Sequence, residues 1–204
     1  MGLRRTAASG SAQAGRAGVV RQAAARVALV ECVRRVQELP YTWPAPPDAA
    51  STRAAGRGTC AGKHAVLAED LAAIGIRSRP LLLVGPLVPD LWRDLVAEAS
   101  GLQEVHECLS VETDWVGPLL VDVTWHPAAV RRGLAGTLDW SGDRDMQPAL
   151  LPVACYAVSR SQLRVQKEKL RGRLYTPAER VRRDALLGEL ARRALALGAK
   201  EDDV

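Results

Sequence analysis

The chain of 204 residues contains no phenylalanine and few aromatic residues of any kind, since tryptophan and tyrosine together make up 4% of it. Leu, Val, Ala and five Trp residues must therefore fill the core, and 48% hydrophobic and 25% charged residues are typical of globular proteins. Long apolar runs are also missing, because Glu31 and Arg34 interrupt the longest early one, and a membrane-spanning helix needs about 18 apolar residues. We therefore expect a protein that does not enter a membrane.

Export signals and paired cysteines are absent as well. Arg4 and Arg5 are followed by Ala, Ser, Gly and Gln rather than by the apolar segment of a signal peptide, which favours a cytoplasmic protein. No two cysteines form a C-x-x-C pair, which argues against a disulfide scaffold and against a zinc ribbon. The four cysteines are Cys32, Cys60, Cys108 and Cys155.

Charge is unevenly distributed along the chain, whose net charge is +5. Residues 1–38 and 159–204 each carry a net charge of +5, and residues 39–158 carry −5. Basic terminal helices can bind nucleic acid by releasing counterions, but here no basic run is interleaved with aromatic residues. We therefore interpret these helices as solvated faces beside an acidic domain, and we expect no nucleic-acid partner.

Apolar periodicity and helix-end signals divide the chain into three parts. Residues 1–17 lack any periodicity, which predicts a disordered tail. Residues 18–158 are predicted to form the main domain, with an N-terminal amphipathic helix, a helix that begins at Cys60 and an antiparallel hairpin. Residues 159–204 contain two basic amphipathic helices and are predicted to form a helical C-terminal extension.

Two of the predicted helices have clear end signals. Pro89-Asp90 predicts the start of a helix that ends at Gly101 and would cover a pocket. The last helix is predicted from about Pro177 to Leu197, because Thr176-Pro-Ala-Glu179 is a capping box with proline at the first helical position. Its arginines are expected to remain in water. Its apolar residues, expected to face inward, are Val181, Leu186, Leu190 and Ala194.

Cys60, His106 and Asp122 form the pattern that indicates chemistry. Cys60 opens a helix, where free N–H groups and the helix dipole can lower a thiol pKa from about 8.5 to between about 3.5 and 7.5. His106 lies on the first strand of the predicted hairpin and Asp122 on the second, and a turn centred on Asp114 would place them opposite each other. This order fits a triad of nucleophile, base and orienting carboxylate.

Each of these residues also has a structural interpretation. A lone Cys60 would be a small core residue, and a lone His106 a packed polar group. Asp122 lies in an apolar strand, where an unpaired carboxylate is costly to bury, so it requires a partner in either case. The ordered set of three favours catalysis, whereas Lys63, three residues after the cysteine, is interpreted as solvated.

Three further residues are candidates to support the same site. His64 follows Cys60 by one helical turn, which makes it an alternative base or a hydrogen-bond donor behind the triad. Cys108 shares a strand face with His106, and the two cysteines and two histidines together would make a Cys2His2 metal site. Zinc sites do not commonly use this spacing, so we expect no metal ion. Trp125 follows the second strand and would form a wall of the pocket.

Four short segments carry these residues in a recognisable order. They read Gly58-Thr-Cys60-Ala-Gly-Lys-His64-Ala-Val-Leu, Gly75-Ile-Arg-Ser-Arg, Val105-His106-Glu-Cys-Leu and Val121-Asp122-Val-Thr-Trp125. Over about residues 57–126 the chain resembles the transglutaminase-like superfamily. The resemblance implies an α+β fold with a cysteine-protease-like core, in which the helix that begins with the cysteine packs on a small antiparallel sheet and N- and C-terminal helices flank it.

The resemblance also implies thiol-dependent acyl chemistry by a Cys60-His106-Asp122 triad, without a metal or an organic cofactor. The substrate would be a small molecule or peptide with an amide, ester or thioester group, and the acceptor would be water or an amine. Amidase, peptidase, transglutaminase and amide-forming acyltransferase activities all remain open. The alternative hypothesis is a non-catalytic member of the superfamily that holds a protein or nucleic-acid partner.

Overall fold

The computed structural model describes residues 8–87 and 93–198, which adopt a mixed α+β arrangement. This confirms the predicted α+β class. None of the helices in these two ranges is long and apolar enough to cross a bilayer. The helices are α1 (Ala8–Gln37), α2 (Ala49–Ala55), α3 (Cys60–Ala73), α4 (Val96–Ala99), α5 (Pro127–Arg131), α6 (Leu163–Leu174) and α7 (Pro177–Gly198). The strands are β1 (Ser78–Pro86), β2 (Gln103–Thr113), β3 (Gly117–Val121) and β4 (Ala154–Ala157).

The four strands form one antiparallel sheet in the order β3-β2-β1-β4. The predicted hairpin is β2 and β3, but its register pairs Thr113 with Gly117, so the turn is centred on Trp115 and not on Asp114. Gly117 has a φ of 86°, a left-handed conformation that favours glycine, and it closes a turn of three residues. The predicted turn centre was therefore wrong by one residue.

Helix α3 packs against the sheet and also against α1. Leu67 and Leu71 of α3 share a buried cluster with Leu29 and Val33 of α1 and with apolar residues of β2 and β3. This cluster is the main core, and it packs α3 against β2 and β3. Cys32 also lies in it, at 6% exposure.

The first residues of α3 are held in place by two neighbouring segments. Gly58 donates its N–H to the Pro40 carbonyl at 3.1 Å, and Thr42 donates to the Gly58 carbonyl at 3.0 Å. On the other side Gly62 lies so close to α2 that an added Cβ would overlap the hydroxyl of Thr52. Glycine at this position therefore allows α2 to pack directly against the start of α3.

The N-terminal part and the segment before α4 differ from the sequence-based expectations. Helix α1 begins at Ala8, so residues 8–17 of the predicted disordered tail 1–17 are helical, and residues 1–7 lie outside the described ranges. Alanine is the best helix former, and it recurs through this part of the chain. The predicted helix start at Pro89-Asp90 also lies outside the described residues, and a short helical turn over Arg93–Leu95 leads directly into α4.

Helices α6 and α7 pack back onto the domain. In α6, Leu163 and Leu170 contact a cluster formed by β1 and β2, and in α7 Leu186 and Leu190 contact the segment around α4. Leu186, Leu190 and Ala194 are buried, as predicted.

Two predictions about α7 were wrong. Val181 is 71% exposed, although it was expected to face inward. Arg183 is 3% exposed, although it was expected to remain in water. The buried stripe of the helix runs through Arg183, Leu186 and Leu190, and Val181 lies on nearly the opposite side of it. The spacing of apolar residues did not predict this face of the helix, because one of its inward positions is occupied by Arg183, whose charge is paired with Glu104.

Candidate active site

Cys60 is the first residue of α3 and is partly exposed. The preceding residue, Thr59, caps the helix, because its hydroxyl accepts the Gly62 N–H at 3.2 Å and its carbonyl accepts the Lys63 N–H at 2.9 Å. Helix geometry leaves the N–H groups of Cys60 and Ala61 without intrahelical partners. The thiol therefore lies at the end of the helix where backbone donors favour negative charge.

His106 of β2 connects Cys60 to Asp122. Its Nε2–H donates to Asp122 Oδ2 at 2.6 Å, and the residue lines the same pocket as Cys60. Because Asp122 occupies Nε2, Nδ1 is the nitrogen left for the thiol. The structure thus brings together the three residues that the sequence singled out, in the order thiol, imidazole, carboxylate.

Asp122 lies just beyond the end of β3 and is diagonal to His106, not directly opposite. Continuing the strand register would place Thr124 opposite His106, since Leu109 pairs with Val121. The expected direct opposition was therefore wrong, because the turn is centred one residue later. Diagonal neighbours on one face still lie within reach of long side chains, and the short bond between the two side chains is retained.

Backbone and side-chain donors fix the Asp122 carboxylate. Oδ1 accepts the Thr124 N–H at 3.0 Å and the Thr124 hydroxyl at 2.6 Å. Oδ2 accepts the Ala149 N–H at 2.8 Å in addition to the bond from His106. Each carboxylate oxygen thus accepts two hydrogen bonds, which compensate for burying the ionised side chain, only 2% exposed.

These contacts shift the pKa values of all three groups towards an ion pair. Burial lowers the pKa of His106, but the charge and hydrogen bond of Asp122 outweigh it and raise the pKa to about 10. Burial likewise raises the pKa of Asp122, and the charge of His106 brings it well below its usual range. Burial raises the pKa of Cys60, but the positive charges of Lys167 and His106 outweigh it, so the pKa is lowered. The shifts of Cys60 and His106 thus both favour the thiolate and imidazolium forms.

His64 has a different position from the one expected of an alternative base. Its Nδ1–H donates to the Cys60 carbonyl at 2.7 Å, and its Nε2 accepts the Val123 N–H at 3.0 Å. Both nitrogens are occupied, and burial lowers the pKa of His64 to about 4, so the ring is neutral. It ties the start of α3 to the segment that follows β3, and it lies behind the triad rather than facing the thiol.

Cys108 is a core residue, and Trp125 lines the pocket. Cys108 is fully buried against Leu83 and Leu150, and burial raises the pKa of its thiol. Trp125 packs on Tyr41 with ring centroids 4.7 Å apart, and both rings line the pocket in front of the site. Within residues 8–87 and 93–198 no three His, Cys, Asp or Glu side chains are grouped so that they could hold a metal ion.

A pocket of about 600 Å³ opens in front of Cys60 and His106. The segment before α2 contributes one wall, and α6 and α7 contribute the other, so much of the surface comes from the C-terminal helices. Its apolar lining includes Trp43, Leu87, Leu150, Leu163, Leu187 and Leu190. A pocket of this size can accept a small acyl group or one side chain of a peptide.

Comparison of the chain with protein-family models, with curated proteins and with solved structures gives no match. The resemblance to the transglutaminase-like superfamily therefore rests on the four sequence segments. Cys60 and His106 line the pocket, and Asp122 bonds to His106 without lining it.

Lys63 is a site residue that sequence reasoning missed. It is fully buried, and its Nζ donates to the carbonyls of Gln37, Leu39 and Thr124 at 3.1, 2.6 and 2.9 Å. Burial lowers the pKa of Lys63 to about 7, although the negative charge of Asp122 acts in the opposite direction. The side chain thus joins the end of α1, the Cys60 helix and the segment after Asp122. Lys63 lies one helical turn before Leu67 and so on the same face of α3, and this spacing was the signal in the sequence that Lys63 faces inward.

Two buried ion pairs between β2 and the C-terminal helices were also missed. Lys167 of α6 donates to Glu107 at 2.8 Å, and Arg183 of α7 holds Glu104 through two bonds of 2.6 Å. The Arg183 guanidinium also lies 5.0 Å from the centre of the Trp43 ring. All of these residues line the pocket. No local sequence signal links them, because each pair joins distant parts of the chain.

Proposed function

We propose that the protein is a thiol-dependent acyl-transfer enzyme with a cysteine-protease-like core of the transglutaminase-like type. Cys60 is the nucleophile, His106 the acid and base, and Asp122 the carboxylate that orients the imidazole. One observation carries the proposal. A thiol at a helix start and a histidine line one pocket, and a buried carboxylate with all its oxygens bonded holds one nitrogen of that histidine.

The reaction begins when the Cys60 thiolate attacks the carbonyl carbon of an amide, ester or thioester. A C–S bond forms, and the carbonyl oxygen becomes an oxyanion that the backbone N–H of Cys60 is placed to stabilise. The C–N, C–O or C–S bond to the leaving group then breaks, and the leaving group takes the proton of the His106 imidazolium. The products of this half are the free leaving group and an acyl-enzyme.

Water or an amine completes the second half of the reaction. Neutral His106 removes a proton from the acceptor as the acceptor attacks the thioester carbon, and Cys60 leaves as the thiolate beside the regenerated imidazolium. Asp122 stays ionised throughout and holds Nε2–H towards itself, so Nδ1 exchanges the proton. The acceptor can be a second substrate, and the kinetics are then of the ping-pong type.

The pH dependence of Cys60 alkylation tests the proposal. The 204-residue chain is treated with iodoacetamide between pH 4 and 10, and the modification of each cysteine is followed by mass spectrometry. We expect Cys60 to react well below pH 8, because the thiolate is the nucleophile. Exposed Cys155 serves as the comparison within the same chain.

Activity is tested in the same preparation with an activated ester. We expect a burst of product together with an acyl adduct on Cys60, and Cys60→Ala removes both while Cys155→Ser keeps both. If Cys60 alkylates with the pH profile of Cys155 and no adduct forms, the proposal is wrong and the non-catalytic interaction module becomes the better explanation.

A further inference from the structure

A buried ion pair between α6 and β2 forms part of the wall of the Cys60 pocket. Lys167 Nζ lies 2.8 Å from Glu107 Oε2, and the two side chains are only 9% and 7% exposed. Lys167 belongs to α6, and Glu107 follows His106 on β2. Burying two charges costs several kcal/mol per ion in desolvation, so such a pair is a weak contributor to stability and another role has to be considered.

We propose that Lys167 is a positioning residue for the thiol chemistry, and that its ammonium, fixed by Glu107, stabilises the thiolate of Cys60. This inference rests on the function proposed above. Lys167, Glu107 and Cys60 line the same pocket, so the lysine charge acts on the thiol through a shared cavity. The segment after residue 158 thus supplies a functional charge to a site whose triad lies entirely in the first 122 residues.

The charges that act on the thiol come from two elements, α6 and β2. Lys167 on α6 and the His106 imidazolium on β2 attract the thiolate, and Glu107 on β2 repels it. Burial raises the pKa of Cys60, and the charges of Lys167 and His106 lower it. Buried Tyr41 faces the same space. Lys63, one turn along α3, is occupied with its three carbonyls.

The pair makes two predictions of opposite sign. Lys167→Met removes the attractive charge, so the midpoint pH of Cys60 alkylation rises, by about one pH unit or tenfold in thiolate fraction at acidic pH. Glu107→Gln removes the repulsive charge and keeps an oxygen that can accept from Lys167, so the midpoint falls. A pair that served only to hold α6 on the sheet would give no such opposite shifts.

The experiment measures iodoacetamide alkylation of Cys60 against pH in the 204-residue chain and its variants. Lys169→Met is the matched control, because Lys169 is an exposed lysine of the same helix, and its midpoint should equal that of the wild type. Lys167→Arg restores a cation and should return the midpoint towards the wild-type value. Circular dichroism and thermal melting confirm that each variant is folded.

The outcomes separate this inference from the proposed function. A low wild-type midpoint that neither Lys167→Met nor Glu107→Gln moves overturns the role of Lys167 and leaves the enzyme proposal intact. A wild-type Cys60 that alkylates like Cys155 overturns both. If Lys167→Met does not fold, the direction of the Glu107→Gln shift decides, and an upward or absent shift refutes the inference.

Discussion

Replacing Asp122 with Asn tests the orienting carboxylate without changing the shape of the side chain. The carboxylate accepts two bonds on each oxygen, from His106 and Ala149 on Oδ2 and from Thr124 on Oδ1. An amide has only one oxygen, so in either orientation its NH₂ group faces a backbone N–H that also donates. Asn therefore fits the space but leaves donors unsatisfied and removes the charge beside His106.

The size of the effect follows from the His106 pKa. Asp122 is the main reason that this pKa is raised from 6.5 to about 10, and each unit corresponds to about 1.4 kcal/mol. Losing most of that shift destabilises the imidazolium relative to neutral imidazole by roughly 4 kcal/mol. Because the imidazolium stabilises the Cys60 thiolate, the midpoint pH of Cys60 alkylation rises. Serine enzymes lose about ten-thousand-fold in turnover on such a change, and we expect a loss of about a hundred- to a thousand-fold here, because a thiol ionises more readily.

Stability supplies an independent readout with a defined sign. A histidine whose folded pKa is raised contributes stability that is fully present below about pH 6.5 and is lost as the pH rises through about 10. The free energy of unfolding of Asp122→Asn should therefore be lower than that of the wild type by about 3 kcal/mol at pH 6, and the difference should shrink towards pH 10.

Alkylation and urea unfolding at several pH values are the assays for this prediction. Thr124→Val is a useful comparison, because it removes one hydroxyl donor to Asp122 and keeps the charge, and its effect on Cys60 should be smaller. An Asp122→Asn protein with a wild-type alkylation profile and a constant stability difference across pH would refute the orienting role.

Three further changes test the packing around the site by urea unfolding. Lys63→Met leaves three carbonyl oxygens without their donor and should cost about 3 kcal/mol or more, whereas exposed Lys169→Met should change stability by less than about 0.5 kcal/mol. Leu190→Ala should cost about 2–4 kcal/mol and Val181→Ala less than about 0.5, and equal losses would contradict the observed face of α7. Gly62→Ala should cost about 1–3 kcal/mol, because its methyl group overlaps a hydroxyl of α2, and an unchanged stability would contradict that close approach.

Local signals in the sequence predicted the elements that carry the site. Apolar spacing after Cys60 predicts a helix that begins with the cysteine, and two strand-like segments joined by a turn signal predict the hairpin. His106 and Asp122 then fall on neighbouring strands. His106 bonds to Asp122 and shares a pocket with Cys60, while the catalytic role of the three residues remains a proposal.

Interactions between distant segments could not be predicted in the same way. The turn centre was misplaced because the conformation of Gly117 depends on a three-residue loop that the sequence does not distinguish from a shorter one. Lys63 and Arg183 were assigned to solvent because charged residues are usually exposed, and only the folded chain shows the carbonyls and the carboxylate that hold them. Burial of a charge depends on its partner, and the partner is remote in sequence.

During synthesis on the ribosome, strand β2 emerges well before the cations that neutralise it. Lys167 follows Glu107 by 60 residues, and Arg183 follows Glu104 by 79. Until α6 and α7 have been made, both carboxylates lack partners and one side of the pocket is open, although all three triad residues are already present. On the proposals above, Lys167 stabilises the Cys60 thiolate, and it is synthesised after all three triad residues. The thiol of a nascent chain therefore becomes fully reactive only when the helices that wall its pocket are also present.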